Sequence, residues 1–316
     1  MKRFLIKLFL FLALVGISCF SIMMLPVDKR YQYAFSKSDC TPKSNYIYHR
    51  LYEDSTPIDI AFIGTSHTMC GISDSIVHRK LRTHRIDRCL ANLAICRVGR
   101  NMDYVIIKDL LKTKRPQLIV LEVKQEEPDL SHPEFGYRAD IADVLVPYSI
   151  VDVQYFTDFI NAFRVRVSYL QSKLGIKEYD ATWEEPSQAI YRQHGVADTA
   201  ILRRGAQRRW ERYYSQPRNA WVDSLMLRYP MSYISGIMQM ARESHARVLM
   251  LYIPNYGYPW HKPRHLSYYR QLADVYLMPD SFYDNKNYWI EDEHLNADGA
   301  AILSDSIAAY IARQLR

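Results

Sequence analysis

The stretch "IDIAFIGTSHTMCGISDSIV", residues 58–77, decides how this chain is built. Ile58, Ile60, Ala61, Phe62 and Ile63 are nearly all apolar, the pattern of a strand covered on both faces in a parallel sheet rather than of a half-exposed edge. The run stops abruptly at Gly64-Thr65-Ser66-His67, where a helix can begin. In open α/β sheets, ligands gather at the carboxyl ends of such strands. Ser66 therefore stands where chemistry is expected, provided the rest of the chain supplies it with partners.

Outward from this stretch the alternation continues. Helical spacing is read at 74–81, at 101–113 (ended by Lys114-Arg115-Pro116), at 230–244, near 264–274 and from about 298 to 314. Apolar runs at 88–95, 117–123, 247–253 and 274–279 supply the further strands. Strands separated by helices of this length imply an α/β fold with a mainly parallel five-stranded sheet and right-handed crossovers. Between about 127 and 228 the alternation fails. "YRQHGV", "RRWERYY" and "RNAWVDS" are rich in Tyr, Trp and Arg and hold no apolar run suited to a central strand. The expectation is a largely helical insertion that leaves from the carboxyl side of the sheet and walls the site.

The amino-terminal 26 residues differ from the rest. Lys2, Arg3 and Lys7 precede an apolar run from Leu8 to Leu25, long enough for a helix to cross a bilayer. Positive charge before the run places the amino terminus in the cytoplasm and the remainder outside, on the periplasmic or extracytoplasmic side of the inner membrane. No A-x-A site follows and the chain stays apolar past Cys19, so an uncleaved anchor over 1–26 is favoured above a signal peptide or lipoprotein site. Residues 27–57 then read as linker and lead-in, and 58–316 as the α/β domain.

With 316 residues, 48% of them hydrophobic, the chain can bury a full core and is neither disordered nor low in complexity. The net charge of +7 invites a nucleic-acid partner, but no nucleic-acid motif accompanies it, and none is expected. Arg192, Arg203, Arg204, Arg208, Arg209, Arg212 and Arg218 crowd one region, read first as a solvated helical face and second as a surface for anionic glycans or head groups. Cysteines at 19, 40, 70, 89 and 96 give no zinc spacing. Disulfides are open to those outside the anchor, although Cys70, Cys89 and Cys96 sit in apolar segments that suit buried thiols. No H-E-x-x-H, P-loop or G-x-G-x-x-G occurs, so neither a metal nor a cofactor is expected.

A hydroxyl nucleophile needs a base, usually a histidine held by a carboxylate. His67 adjoins Ser66, but neighbouring side chains at a strand end diverge, so it is a poor base. In "YWIEDEHLNADGAAILSDSIAAYI", residues 288–311, His294 follows Glu291, Asp292 and Glu293, and Asn296, Asp298 and Gly299 form a turn and cap before the last helix.

Together, "IGTSH" after the first strand, "ANLAI" at the end of the second and E-x-x-H-L-N-x-x-G before the last helix resemble the SGNH (GDSL-type) hydrolase superfamily. Within it the sequence looks most like the membrane-anchored bacterial branch that includes alginate O-acetyltransferase-like and teichoic-acid D-alanyl transfer proteins. The resemblance covers about 58–125 and 246–314. It implies a flavodoxin-like three-layer sandwich, Ser66 as nucleophile, His294 as general base and Glu291 as its acid where the family has aspartate, with Asp292 as the alternative acid. Thr65, His67 and Asn92 are the implied substrate contacts, His67 being read equally as a structural hydrogen bond. An oxyanion-hole glycine often follows the second strand in the family; here Ala94-Ile95-Cys96-Arg97-Val98-Gly99 occupies that region. The asparagine of secreted esterases is missing after the third strand, where Glu122 and Lys124 stand instead. The implied activity is acyl transfer to, or hydrolysis from, an exported or cell-envelope polysaccharide, alongside a multi-pass membrane acyltransferase; the remaining possibility is an inactive glycan-binding partner. Trp183, Trp210, Trp221 and Tyr213 offer ring faces to a sugar.

Overall fold

The structure, a computed structural model, describes residues 1–35, 38, 40–146, 154–177, 194–215, 220–258 and 261–315. Five parallel strands, β1 (Ile60–Ile63), β2 (Leu90–Asn92), β3 (Leu118–Val123), β4 (Arg247–Tyr252) and β5 (Asp274–Tyr276), form one sheet in the order β2-β1-β3-β4-β5. This is the flavodoxin-like order, whose switch point lies between β1 and β3. The chain turns one way from β1 to reach β2 and the other way to reach β3, so their carboxyl ends open a crevice beside Ser66.

Alternation along the strands explains the layers. Ile60, Phe62, Leu118, Val120, Leu249 and Leu251 pack with α5 (Asp74–Thr83) and α14 (Ala297–Gln314). Ala61, Ile63, Ile119 and Leu121 pack with α6 (Arg100–Thr113) and with Ile237 of α11 (Ala220–Glu243). Because successive strand residues point to opposite faces, covering both faces demands apolar residues at every position, which is why β1 reads "IAFI" without interruption. The second strand is shorter than the expected 88–95, although the chain stays beside β1 until the Ile95 N–H bonds the Gly64 carbonyl at 2.9 Å.

The 27–57 segment corrects the expectation of a linker. α2 (Lys29–Ala34) and α3 (Thr41–Tyr48) are built into the α6 side of the core, with Tyr33, Ala34, Ile47 and Leu51 buried. Tyr33 donates its hydroxyl to Asp109 of α6 at 3.1 Å, and Lys29 pairs with Asp109 and Asp140, each at 3.1 Å. Cys40, just before α3, is disulfide-bonded to Cys96. The thiol reading of Cys96 is thereby overturned: the loop after β2 and the lead-in are brought to a Cα separation of 5.7 Å, within reach of a bridge. Cys70 and Cys89 are free thiols.

The amino-terminal helix α1 (Lys2–Met23) is long and apolar enough to cross a bilayer, and its side chains stand exposed until Met23 enters the core. Among the described residues of 127–228 there is no strand. The segment contributes α7 (Phe135–Arg138), α8 (Ile141–Val144), α9 (Tyr155–Lys173), α10 (Thr199–Ser215) and the start of α11. Trp183, Arg192 and Arg218, and the side chains of Arg212 and Tyr213, lie outside the described residues.

Candidate active site

Ser66 opens α4 (Ser66–Gly71), a single short helix that starts where β1 ends. Thr65 caps it, its Oγ1 accepting from the His67 N–H at 3.4 Å. The turn is held from below by Glu122, the buried carboxylate near the end of β3. Glu122 accepts from the Thr65 N–H at 2.8 Å, the Thr65 hydroxyl at 3.0 Å, the Thr68 N–H at 3.2 Å and the Thr68 hydroxyl at 2.7 Å. Gly64 is required here because a Cβ would stand 2.5 Å from the Glu122 side chain.

The histidine arrives on a braced loop. Trp289, fully buried, bridges Leu295 across the loop and donates its indole N–H to the Tyr283 carbonyl at 3.2 Å. The Ile290 N–H bonds the His294 carbonyl at 3.0 Å, and Asn296 caps α14 by accepting from the Gly299 N–H at 3.0 Å. Between these anchors the Glu293 N–H donates to Glu291 at 2.9 Å, turning Glu291 back toward His294.

The three side chains then line up. His294 Nε2 lies 2.7 Å from Ser66 Oγ, and Glu291 meets His294 Nδ1. A carboxylate only accepts, so Glu291 holds the proton on Nδ1 and turns the Nε2 lone pair to the serine hydroxyl. Burial pushes the Glu291 carboxyl up, but the hydrogen bond and charge of His294, with backbone N–H groups, outweigh it and leave the net shift downward.

Asp292, the alternative acid, faces elsewhere. It pairs with Arg209 of α10 at 2.7 Å and with Arg208 at 3.7 Å. Helix α10 passes so close that a Cβ at Gly205 would meet Asp292 Oδ2 at 1.9 Å. The insertion thus buttresses the histidine loop. Of the arginine cluster, Arg203, Arg204 and Arg208 are exposed, and Trp210 and Trp221 are exposed as well.

His67 belongs to a second chain of groups. Lys124, just past β3, pairs with Glu122, donates to Thr65 Oγ1 at 2.5 Å and stands 3.0 Å from His67 Nδ1. An ammonium only donates, so Nδ1 accepts and the ring proton sits on Nε2, which donates to Asn255 Oδ1. Burial, then the Lys124 charge, lower the His67 pKa to about 3. The ring is neutral and lies 5.5 Å from that of His294, centroid to centroid. Asn255, in the loop after β4, enters the site through this bond; its only sequence signal was its place past the carboxyl end of a buried strand.

Thr65 and Asn92, offered as substrate contacts, are turned inward. Asn92 is buried and donates its amide hydrogens to the Thr68 and Ile72 carbonyls, each at 3.0 Å, while its oxygen accepts from the Ala94 N–H at 3.1 Å. It latches the end of β2 to α4. Thr65 is buried and engaged by Glu122 and Lys124. Nearby, burial and then the Glu291 charge push the Cys70 thiol up to about 12, so it keeps its proton. Among the described residues, no three His, Cys, Asp or Glu side chains converge as a metal site requires.

Compared with models of known families, with curated proteins and with solved structures, the chain has no match.

Proposed function

We propose that the protein is a serine acyltransferase of the SGNH type, held outside the cytoplasmic membrane by α1, that moves an acyl group onto an exported or cell-envelope polysaccharide. The observation that carries this reading is the Ser66 hydroxyl 2.7 Å from His294 Nε2, with Glu291 on the far nitrogen. Residues from opposite ends of the chain meet at the switch point of the sheet with a base, an orienting acid and a hydroxyl in working order.

In this mechanism His294 removes the Ser66 proton as Oγ attacks the acyl carbonyl, forming a tetrahedral intermediate. His294 then passes that proton to the departing group, and an acyl-serine remains. The acceptor sugar hydroxyl repeats the sequence in reverse, giving its proton to His294 and taking the acyl group. The oxyanion is met by the Ser66 N–H, which as the first residue of a helix has no intrahelical acceptor. We assign a second donor to the Asn255 amide, whose oxygen is held by His67 so that its N–H₂ remains for the substrate. No ion is needed for these steps, and Lys124 contributes by fixing the His67 tautomer rather than by touching the acyl group.

Two features support the compartment. The Cys40–Cys96 disulfide suits an oxidising space, and α1 follows a basic amino terminus. Exposed Trp210, on the α10 helix that braces the histidine loop, and exposed Trp221 of α11 suit sugar stacking.

The test is product analysis. Purified full-length protein, given p-nitrophenyl acetate with and without oligosaccharides, should release nitrophenol and acetylate a sugar. Release without any acylated sugar, across neutral and acidic glycans, would instead favour the esterase of the same fold.

A further inference from the structure

Helix α9 carries its apolar stripe on the wrong side for a protein surrounded by water. Phe156, Ile160, Phe163, Val167, Leu170 and Leu174 recur at alternating steps of four and three residues, so they line one face. Phe156 is 77% exposed, Ile160 50% and Leu174 64%. The opposite face, which packs on the domain, holds Asp158, Asn161 and Arg166 beside Ala162 and Val165. A helix that turns Asp158, Asn161 and Arg166 inward and Phe156 and Ile160 outward suits an apolar neighbour on the outside.

Two observations say what that neighbour is. Helix α9 touches α1, and Met23 at the foot of α1 is buried in the same cluster against which Phe163 packs. The stripe therefore passes the point where the apolar run of α1 ends and the charged lead-in begins. In addition, the exposed charges of α9, Arg164 and Lys173, are both basic, while its acid, Asp158, is buried.

We propose that α9 lies in the interface of the bilayer that α1 crosses, with Phe156 and Ile160 among the acyl chains and Arg164 and Lys173 among anionic head groups. This rests on the anchored reading of α1, not on the acyl chemistry. Such seating fixes the domain at two points rather than on a swinging tether, and so sets the orientation of the Ser66 crevice to the membrane.

The test uses the full-length chain with Cys19 and Cys89 replaced by serine, reconstituted in vesicles of phosphatidylethanolamine and phosphatidylglycerol. An environment-sensitive fluorophore is attached after Phe156→Cys or Ile160→Cys, with Phe11→Cys in α1 and Arg82→Cys on α5 as references, and lipids brominated on their acyl chains serve as quencher. The labels at 156 and 160 should lose most of their emission, as the label at 11 does, while that at 82 keeps its own. Quenching at 11 without quenching at 156 and 160 would overturn the proposal, whether solvent or protein then covers the stripe. An unquenched label at 11 would overturn the anchored reading and this inference together, leaving the Ser66 chemistry untouched.

Discussion

The Lys124 ammonium stands 3.0 Å from Nδ1 of His67, and this contact separates the duties of the two histidines in the site. His67 is kept neutral with its proton on Nε2. His294, held by Glu291 and 2.7 Å from Ser66 Oγ, is the ring to which the proposed mechanism gives the base function.

The neutral state of His67 has a consequence for stability. Its pKa falls from the ordinary 6.5 to about 3 on folding, so the unfolded chain takes up this proton first as the pH drops. Stability from this group is complete above 6.5 and is lost progressively as the pH falls toward 3. Buried His132, lowered to about 4 by desolvation, acts in the same direction. Asp103, pushed up to about 7 by burial, acts oppositely. The expected result is that His67→Gln loses less stability on acidification through this window than the parent does, and His132→Gln likewise. The Asp103 contribution is common to all three proteins and cancels in the comparison. Thermal unfolding at a series of pH values makes the check.

The acid of the triad is identified by a paired substitution. Glu291→Gln should slow turnover of an activated acetyl ester by about 10²- to 10⁴-fold, because the imidazole loses its orienting charge. Asp292→Asn, which disturbs the brace to Arg209 instead, should keep the rate within about tenfold of the parent, the cost of a loosened loop rather than a lost charge. Equal losses in steady-state kinetics would mean that both acids serve the ring.

Glu122 and Lys124 are a buried pair beneath the serine turn, with side-chain exposures of 0% and 11%. Glu122→Gln leaves the ammonium without its charge partner and should cost about 3–5 kcal/mol in urea unfolding. Combining it with Lys124→Met should cost less than the two single changes added together, the signature of coupled partners in a double-mutant cycle.

The frame of the molecule was legible from residues 58–63, 117–123 and 247–253, because strands covered on both faces must be apolar throughout. The approach of His294 to Ser66 was legible too, from their places at strand ends, whereas the choice of Glu291 among three neighbouring acids came from the family resemblance. Three things were not. The 27–57 lead-in hides its burial behind Tyr33, Lys43 and Tyr46, residues that pack well but break any apolar pattern; Lys43 is buried by donating to the Asn92 carbonyl at 2.6 Å. Glu122 reads as an interruption of a strand, since only the fold shows the threonine N–H and hydroxyl groups and the Lys124 ammonium that converge on it. Asn92 sits where a ligand contact is expected, yet the short β2 needs its amide to hold the backbone.

The Cys40–Cys96 bridge closes a span of 56 residues and ties the lead-in to the loop beyond β2. Loop-closure entropy for a loop of this size puts its contribution at about 4 kcal/mol. Reduction under native conditions should lower the unfolding midpoint accordingly, read by denaturant titration with and without reductant, and a Cys70→Ser protein should respond to reductant in the same way.

The central claim is that Ser66 is a nucleophile activated by His294. Its most direct measurement is the intact mass of the full-length protein after exposure to a fluorophosphonate, followed by peptide mapping. The account predicts a single adduct on Ser66, absent in Ser66→Ala and strongly slowed in His294→Asn. An adduct that persists in Ser66→Ala, or a parent protein left unmodified while its fold is intact, would contradict it.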